Sequence, residues 1–118
     1  MVKISISDET GGLEGAYKSR LRKIAGTALK NLGLPSATEL SLSFVNDRRM
    51  RELNREWRKI DRATDVLSFP QSGGPDYTLL GDIVISIDTA KRQSVKYGNT
   101  LHDEIKKLIV HGILHLLG

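Results

Sequence analysis

"GDIVISI", residues 81–87, is apolar enough to form a strand at the centre of a sheet. Upstream of it, "TDVLSFP" (64–70) predicts a third, shorter strand. Pro70 cuts that strand off, and a proline has no N–H for a ladder, so this strand belongs at a sheet edge. The stretch between the two, "QSGGPDYT" (71–78), holds too many turn residues to be anything but loop. Downstream, a helix is expected from about Asp88 to Tyr97, stopped by Gly98. Thr100 and Asp103 then resemble a capping box, with Asp in place of the usual Glu, and open the last helix.

Further upstream, Asn46 suits the N-cap of a helix whose expected buried stripe is Met50, Leu53 and Trp57. "ELSLSFV" (39–45) alternates Leu40, Leu42 and Phe44, the period of a strand. Leu13, Tyr17, Leu21, Ile24, Ala28 and Leu32 recur at spacings of three and four, which marks an amphipathic helix ended by Gly33 and Pro35. Val2, Ile4 and Ile6 alternate as in a short half-buried strand. Strands alternating with helices give an α/β or α+β domain, with helices packed on a small sheet.

The chain has 118 residues, enough for one domain, 1–118, with one core. With 39% hydrophobic and 27% charged residues it reads as globular rather than disordered. Eighteen Lys and Arg against 14 Asp and Glu leave a net charge of +4. That permits an anionic partner such as nucleic acid, although plain solubility explains it equally well. There is no cysteine, so disulfides and thiolate metal sites are excluded. No signal peptide or membrane span is recognisable, and a cytosolic location is the expectation.

The end of the chain, "LIVHGILHLLG" (108–118), carries the chemistry. His111 and His115 are four residues apart, so on a helix both imidazoles lie on one side and can reach one ion. Apolar residues surround them, which predicts a buried helix. Two buried rings would need partners, either carbonyls and carboxylates in a structural role or a metal ion. Neutral imidazole suits zinc best. Gly112 stands where zinc peptidases of the His-Glu-x-x-His type carry their glutamate base, and glycine cannot move a proton. Close approach of neighbouring backbone or of substrate would explain a mid-helix glycine; loose packing is the alternative. Gly118 completes the first eight positions of the longer pattern His-x-x-x-His-x-x-Gly-x-x-His, whose third histidine returns to the ion after a left-handed glycine. A third histidine is therefore expected beyond Gly118, in a longer protein; a degraded two-ligand site is the alternative.

"HGILHLLG" (111–118), "LNREWRKIDRATDVLSFP" (53–70) and "LGDIVIS" (80–86) together resemble the YbeY family of bacterial metal-dependent endoribonucleases. The resemblance implies a mixed four-stranded sheet with one short edge strand, packed with about four to five helices. It implies one zinc ion, with His111 and His115 as the two ligands present. It also implies a role in ribosomal RNA maturation and ribosome quality control, with ribosomal RNA and the small ribosomal subunit as partners. Arg58 matches the family's arginine after Leu53, Asn54 and Trp57, and its forked guanidinium suits a phosphodiester. With Gly112 inert, the nucleophile is left to a hydroxide supplied by the metal or to the RNA 2′-hydroxyl.

Arg48, Arg51, Arg55 and Arg58 form a basic stripe on the helix that follows Asn46, a track for an RNA backbone. Glu52 and Glu56 can pair with those arginines, so a solvated charged face is nearly as good a reading. An aromatic content of 5% is too low for an extensive base-stacking platform. Asp65 and Asp82 are expected to cap or turn, or to support a histidine from behind. Ser68 is expected to face one side of the edge strand without chemistry, and His102 to be structural. Two other functions stay open: a noncatalytic RNA-binding assembly factor with a structural zinc, and a metallohydrolase of another class such as a peptidase, against which Gly112 argues.

Overall fold

The structure, a computed structural model, describes residues 2–71 and 79–118. The elements run β1 (Lys3–Asp8), α1 (Gly15–Asn31), β2 (Glu39–Val45), α2 (Asp47–Arg58), β3 (Val66–Pro70), β4 (Leu79–Ser86), α3 (Ile87–Tyr97) and α4 (Leu101–Leu117). The loop expected at 71–78 lies, apart from Gln71, outside the described residues.

The strands form one mixed sheet in the order β1-β2-β4-β3. β1, β2 and β4 are parallel, and β3 joins β4 antiparallel, with Ser68 opposite Ile83 and Pro70 opposite Gly81. The strand from "GDIVISI" is thus internal, and the strand that Pro70 ends is at the edge. β3 begins at Val66, after a bend at Asp65, whose carboxylate accepts from the Val66 N–H at 2.8 Å.

Strand alternation sorts the core. Leu40, Leu42 and Phe44 of β2 and Ile83 and Ile85 of β4 face α1, α3 and α4, with Leu21, Ala25, Leu29, Ile105, Leu108, Ile109 and Ile113 fully buried against them. On the opposite face, among the described residues, Met50 of α2 packs on Val45, Leu67 and Val84 of the strands. Two helix starts carry the expected caps: Asn46 accepts from Arg49 N–H and Thr100 from Asp103 N–H. α3 ends on Gly98 at φ +70°, a turn that a side chain would strain.

Two burial expectations fail. α4 is not buried all round: Leu114 and Leu117 are 47% and 44% exposed, and both histidines are exposed. The sheet ends at β3, so a helix laid over that edge has one flank with no strand beneath it. Trp57 leaves the apolar stripe of α2 and is 61% exposed, because it lies one turn past Leu53 and beyond the part of the helix that Met50 and Asn54 anchor.

Candidate active site

α4 lies across β3 and β4, and Gly112 packs directly on Ile83 of β4. A Cβ on Gly112 would stand 2.7 Å from Ile83 Cγ2, and Ile83 is fully buried. A neighbouring side chain, rather than backbone or substrate, therefore demands the glycine. The Gly112 carbonyl accepts from the Ser68 hydroxyl at 3.2 Å, tying α4 to the edge strand. On either side of this contact, His111 and His115 stand on the exposed flank of α4. His115 lines a groove of about 620 Å³ with Asn54, Arg58, Thr64, Ser68 and Pro70. His111 is one turn back on the same side of the helix and is not part of that lining.

As metal donors the pair has the right chemistry. Among the described residues, His102 alone of the three histidines has a side-chain hydrogen bond, with the Tyr17 hydroxyl at 2.9 Å. Its role is to join α1 to α4. The imidazoles of His111 and His115 have no such competing contact and suit two positions of a zinc shell. Among the described residues no group of three His, Cys, Asp or Glu could hold a metal ion together, so the remaining positions need donors from elsewhere.

Arg58 ends α2 and reaches the edge strand. Its guanidinium donates to the Ser68 carbonyl at 2.8 Å and lies 5.7 Å from the centre of the Phe69 ring. The turn after it is set by Lys59, a left-handed residue at φ +63°, and by Asn54, whose amide donates to the Arg62 carbonyl at 2.9 Å. Asn54 is buried, and its contact folds the 59–62 segment back against α2. Ser68 therefore joins the arginine to the histidine helix, a role its sequence neighbourhood does not announce.

The other arginines of α2 are unequal. Arg51 makes a two-pronged ion pair with Asp61, at 2.8 and 3.2 Å. The hydrogen bonds of that pair push Arg51 up from its ordinary value and Asp61 down from its own. Arg48 stands 3.8 Å from Glu52, which Arg49 approaches at 3.3 Å. Arg55 is exposed. Asp65 contacts Gln93 and its own turn, and Asp82 accepts from the Gln71 amide at 3.0 Å. Among the described residues, neither carboxylate is hydrogen-bonded to a histidine.

Comparison with known proteins bears on what this arrangement is. The family described as Endoribonuclease YbeY matches residues 3–118. A Myxococcus xanthus protein of that name is 59% identical over 87 residues, which is 70% of this chain and 30% of that protein. The Aquifex aeolicus protein of the same name is 52% identical over 104 residues, 86% of this chain and 67% of its own length. For the Heliobacterium modesticaldum protein, also so named, identity is 40% over 136 residues, covering 99% of this chain and 82% of that protein. This chain thus spans between 30% and 82% of the length of these three relatives. The solution structure of a Thermotoga maritima protein superposes with a TM-score of 0.68 at 28% identity, covering 98% of this chain and 72% of that one. The mixed sheet with its antiparallel edge strand, and the match that extends from β1 through the paired histidines, make this chain a member of the YbeY endoribonuclease family.

Proposed function

We propose that the chain is a zinc-dependent endoribonuclease of the single-strand type that works in ribosomal RNA maturation and ribosome quality control. Its partners in this reading are ribosomal RNA and the small ribosomal subunit, and its compartment is the cytoplasm. No helix among the described residues is long and apolar enough to cross a membrane, and no membrane partner enters the reading. The observation that supports it best is the groove in which His115 of α4 and Arg58 of α2 flank one stretch of edge strand.

The residues divide the work as follows from their chemistry. His111 and His115 would hold the zinc, which when bound supplies Lewis acidity to a phosphoryl oxygen and to the attacking hydroxyl or water. Arg58 has five N–H donors, of which one goes to the Ser68 carbonyl. The others can take phosphodiester oxygens and neutralise the charge that grows on them in the transition state. The Ser68 bond and the Phe69 ring hold the guanidinium in place before substrate arrives. Preorganised charge of this kind costs no rearrangement at the moment of reaction. β3 is an edge; its Val66 N–H goes to Asp65 and its Ser68 carbonyl to Arg58, which leaves the remaining outward groups to pair with an extended substrate. A peptidase reading is disfavoured by Ile83, which leaves no room at position 112 for a glutamate.

The test is single-turnover cleavage of a defined RNA by nuclease-free protein, alongside binding. Arg58→Ala should bind RNA nearly as well and cleave it at least about a hundredfold more slowly, the order of a lost transition-state donor. Arg58→Lys should recover little, since lysine keeps the charge and loses the fork. A change in affinity with cleavage untouched would reduce Arg58 to a backbone contact. Intact binding with no cleavage by the wild-type, zinc-loaded protein would favour the noncatalytic assembly factor.

A further inference from the structure

The sheet face that α2 covers holds a second groove, of about 580 Å³, on the far side of β3 from the histidines. Trp57 and Phe69 line it, with Arg49, Gln71 and Asp82 around them. The two rings meet edge to face, 6.0 Å between centres and 70° between planes. Trp57 is nonetheless 61% exposed. A tryptophan left in water forgoes the burial of a large apolar surface, and here the neighbouring Phe69 fixes its position without covering it. Arg58 and Pro70 line this groove and the histidine groove alike, so the two sites meet at the guanidinium.

We propose that this groove takes one unpaired nucleobase of the RNA, stacked on Trp57, when the adjoining phosphodiester lies at Arg58. This rests on the endoribonuclease reading and names a binding subsite for it. Three features of the groove fit a nucleotide rather than a peptide or lipid. An exposed indole offers a π-face, which every base can use. Arg49 and Arg58 stand beside it for the attached phosphates. Gln71 and Asp82, joined at 3.0 Å, present amide and carboxylate groups that suit the hydrogen-bonding edge of a base. A low overall aromatic content excludes a long stacking platform and leaves room for one base. Selection of unpaired RNA follows, because a base held in a duplex cannot turn onto the ring.

Trp57 is the chain's one tryptophan, so its fluorescence reports this site alone. A short single-stranded oligoribonucleotide should quench it on binding. An oligomer of equal length and charge but abasic at every position should bind without quenching. Trp57→Ala should weaken binding of the single strand by about five- to a hundredfold, the worth of one stacked base. Trp57→Phe should retain most of it, and circular dichroism should show both variants folded, as expected at an exposed position. RNA that binds, seen by anisotropy, without quenching, or with equal affinity for Trp57→Ala, overturns the subsite. Continued cleavage in that case leaves the endoribonuclease reading standing. Quenching without cleavage would keep the subsite and remove the nuclease. Absence of any RNA binding would end both.

Discussion

The Ser68 hydroxyl donates to the Gly112 carbonyl at 3.2 Å, while the Ser68 carbonyl accepts from Arg58 at 2.8 Å. One residue of the edge strand thus fixes the distance between the helix that bears the histidines and the arginine at the end of α2. Ser68→Ala should cost about 0.5–1.5 kcal/mol of stability, the ordinary worth of one internal hydrogen bond. If Ser68 also positions the site, RNA cleavage should fall more than that loss of folded protein explains, with affinity little changed. Ser68→Thr, which keeps the hydroxyl, should restore part of the rate. Equal cleavage rates for folded wild-type and Ser68→Ala protein would make the contact merely structural.

His111→Ala and His115→Ala should each weaken zinc binding by at least about tenfold, a ligand counting for no less than its supporting contacts. His102→Ala should leave it unchanged, because that ring is engaged by Tyr17 on another part of α4. Competition against a chromophoric chelator measures all three. Loss of zinc in His102→Ala, or full retention in His111→Ala, would show that the ion is held elsewhere.

Gly112→Ala sets two effects against each other. Alanine favours a helix interior by about 1 kcal/mol over glycine. The new methyl would meet Ile83 Cγ2 at 2.7 Å, and Ile83 is fully buried at the centre of the sheet. Overpacking a site of that kind costs about 1–3 kcal/mol, so the net change should be a loss of stability. In an Ile83→Ala background the clash is gone, and the same replacement should be neutral or stabilising. A double-mutant cycle by urea unfolding reads the coupling. Additive effects would mean that α4 shifts freely away from β4.

Much of this could be read along the chain because it is local. Alternation in residues 39–45, the Asn46 and Thr100 caps, Gly98 and Pro70 each act within a few residues, so their consequences are visible in sequence. The pairing of His111 with His115 is local too. What could not be read depends on how elements distant in sequence meet. Exposure of the histidines follows from where the sheet stops under α4, and exposure of Trp57 from how α2 sits on β3. Asp61 claims Arg51 because Asn54 folds the intervening turn back. Ser68 gains its role only through antiparallel pairing at the edge, which turns its hydroxyl toward α4 and leaves Leu67 facing α2.

Asp47 makes stability depend on pH in the acid range. Its carboxylate accepts from the Ser86 and Thr89 hydroxyls, both at 2.6 Å, and pairs with Arg92 at 2.7 Å. Burial on its own would raise the carboxyl, but the bonds from Arg92, Ser86 and Thr89 outweigh it and hold the group below its ordinary value of 3.8. The folded protein therefore binds this proton less readily than the unfolded chain does. The resulting stability is complete well above about pH 4 and is lost as pH falls through the lower, folded-state value. Asp47→Asn should lower stability at neutral pH by about 1–3 kcal/mol, because its amide oxygen can still accept from the two hydroxyls but an NH2 donor replaces the carboxylate oxygen that faces Arg92. It should also flatten the decline below about pH 4. Parallel acid-melting curves for wild type and variant would contradict this assignment.

Asp61 and Arg51 make opposite predictions for RNA. Both side chains are more than half exposed, so their ion pair contributes little to stability. It does hold two of the guanidinium's donors, those on Nε and Nη2, away from any phosphate. Of the stripe on α2, Arg51 is thus the member most fully engaged within the protein, while Arg48 has only a 3.8 Å approach to Glu52. If RNA follows that stripe, Asp61→Asn should release Arg51 and tighten binding. The slope of log affinity against log salt should steepen by about 0.7, the value for one added phosphate contact on a single strand. Removing a negative charge could tighten binding by itself, so the same change is made in an Arg51→Ala background. There the steeper slope should vanish. A slope that steepens equally in both backgrounds would assign the effect to Asp61 alone, and Arg51 would then be part of a solvated face with no contact to RNA.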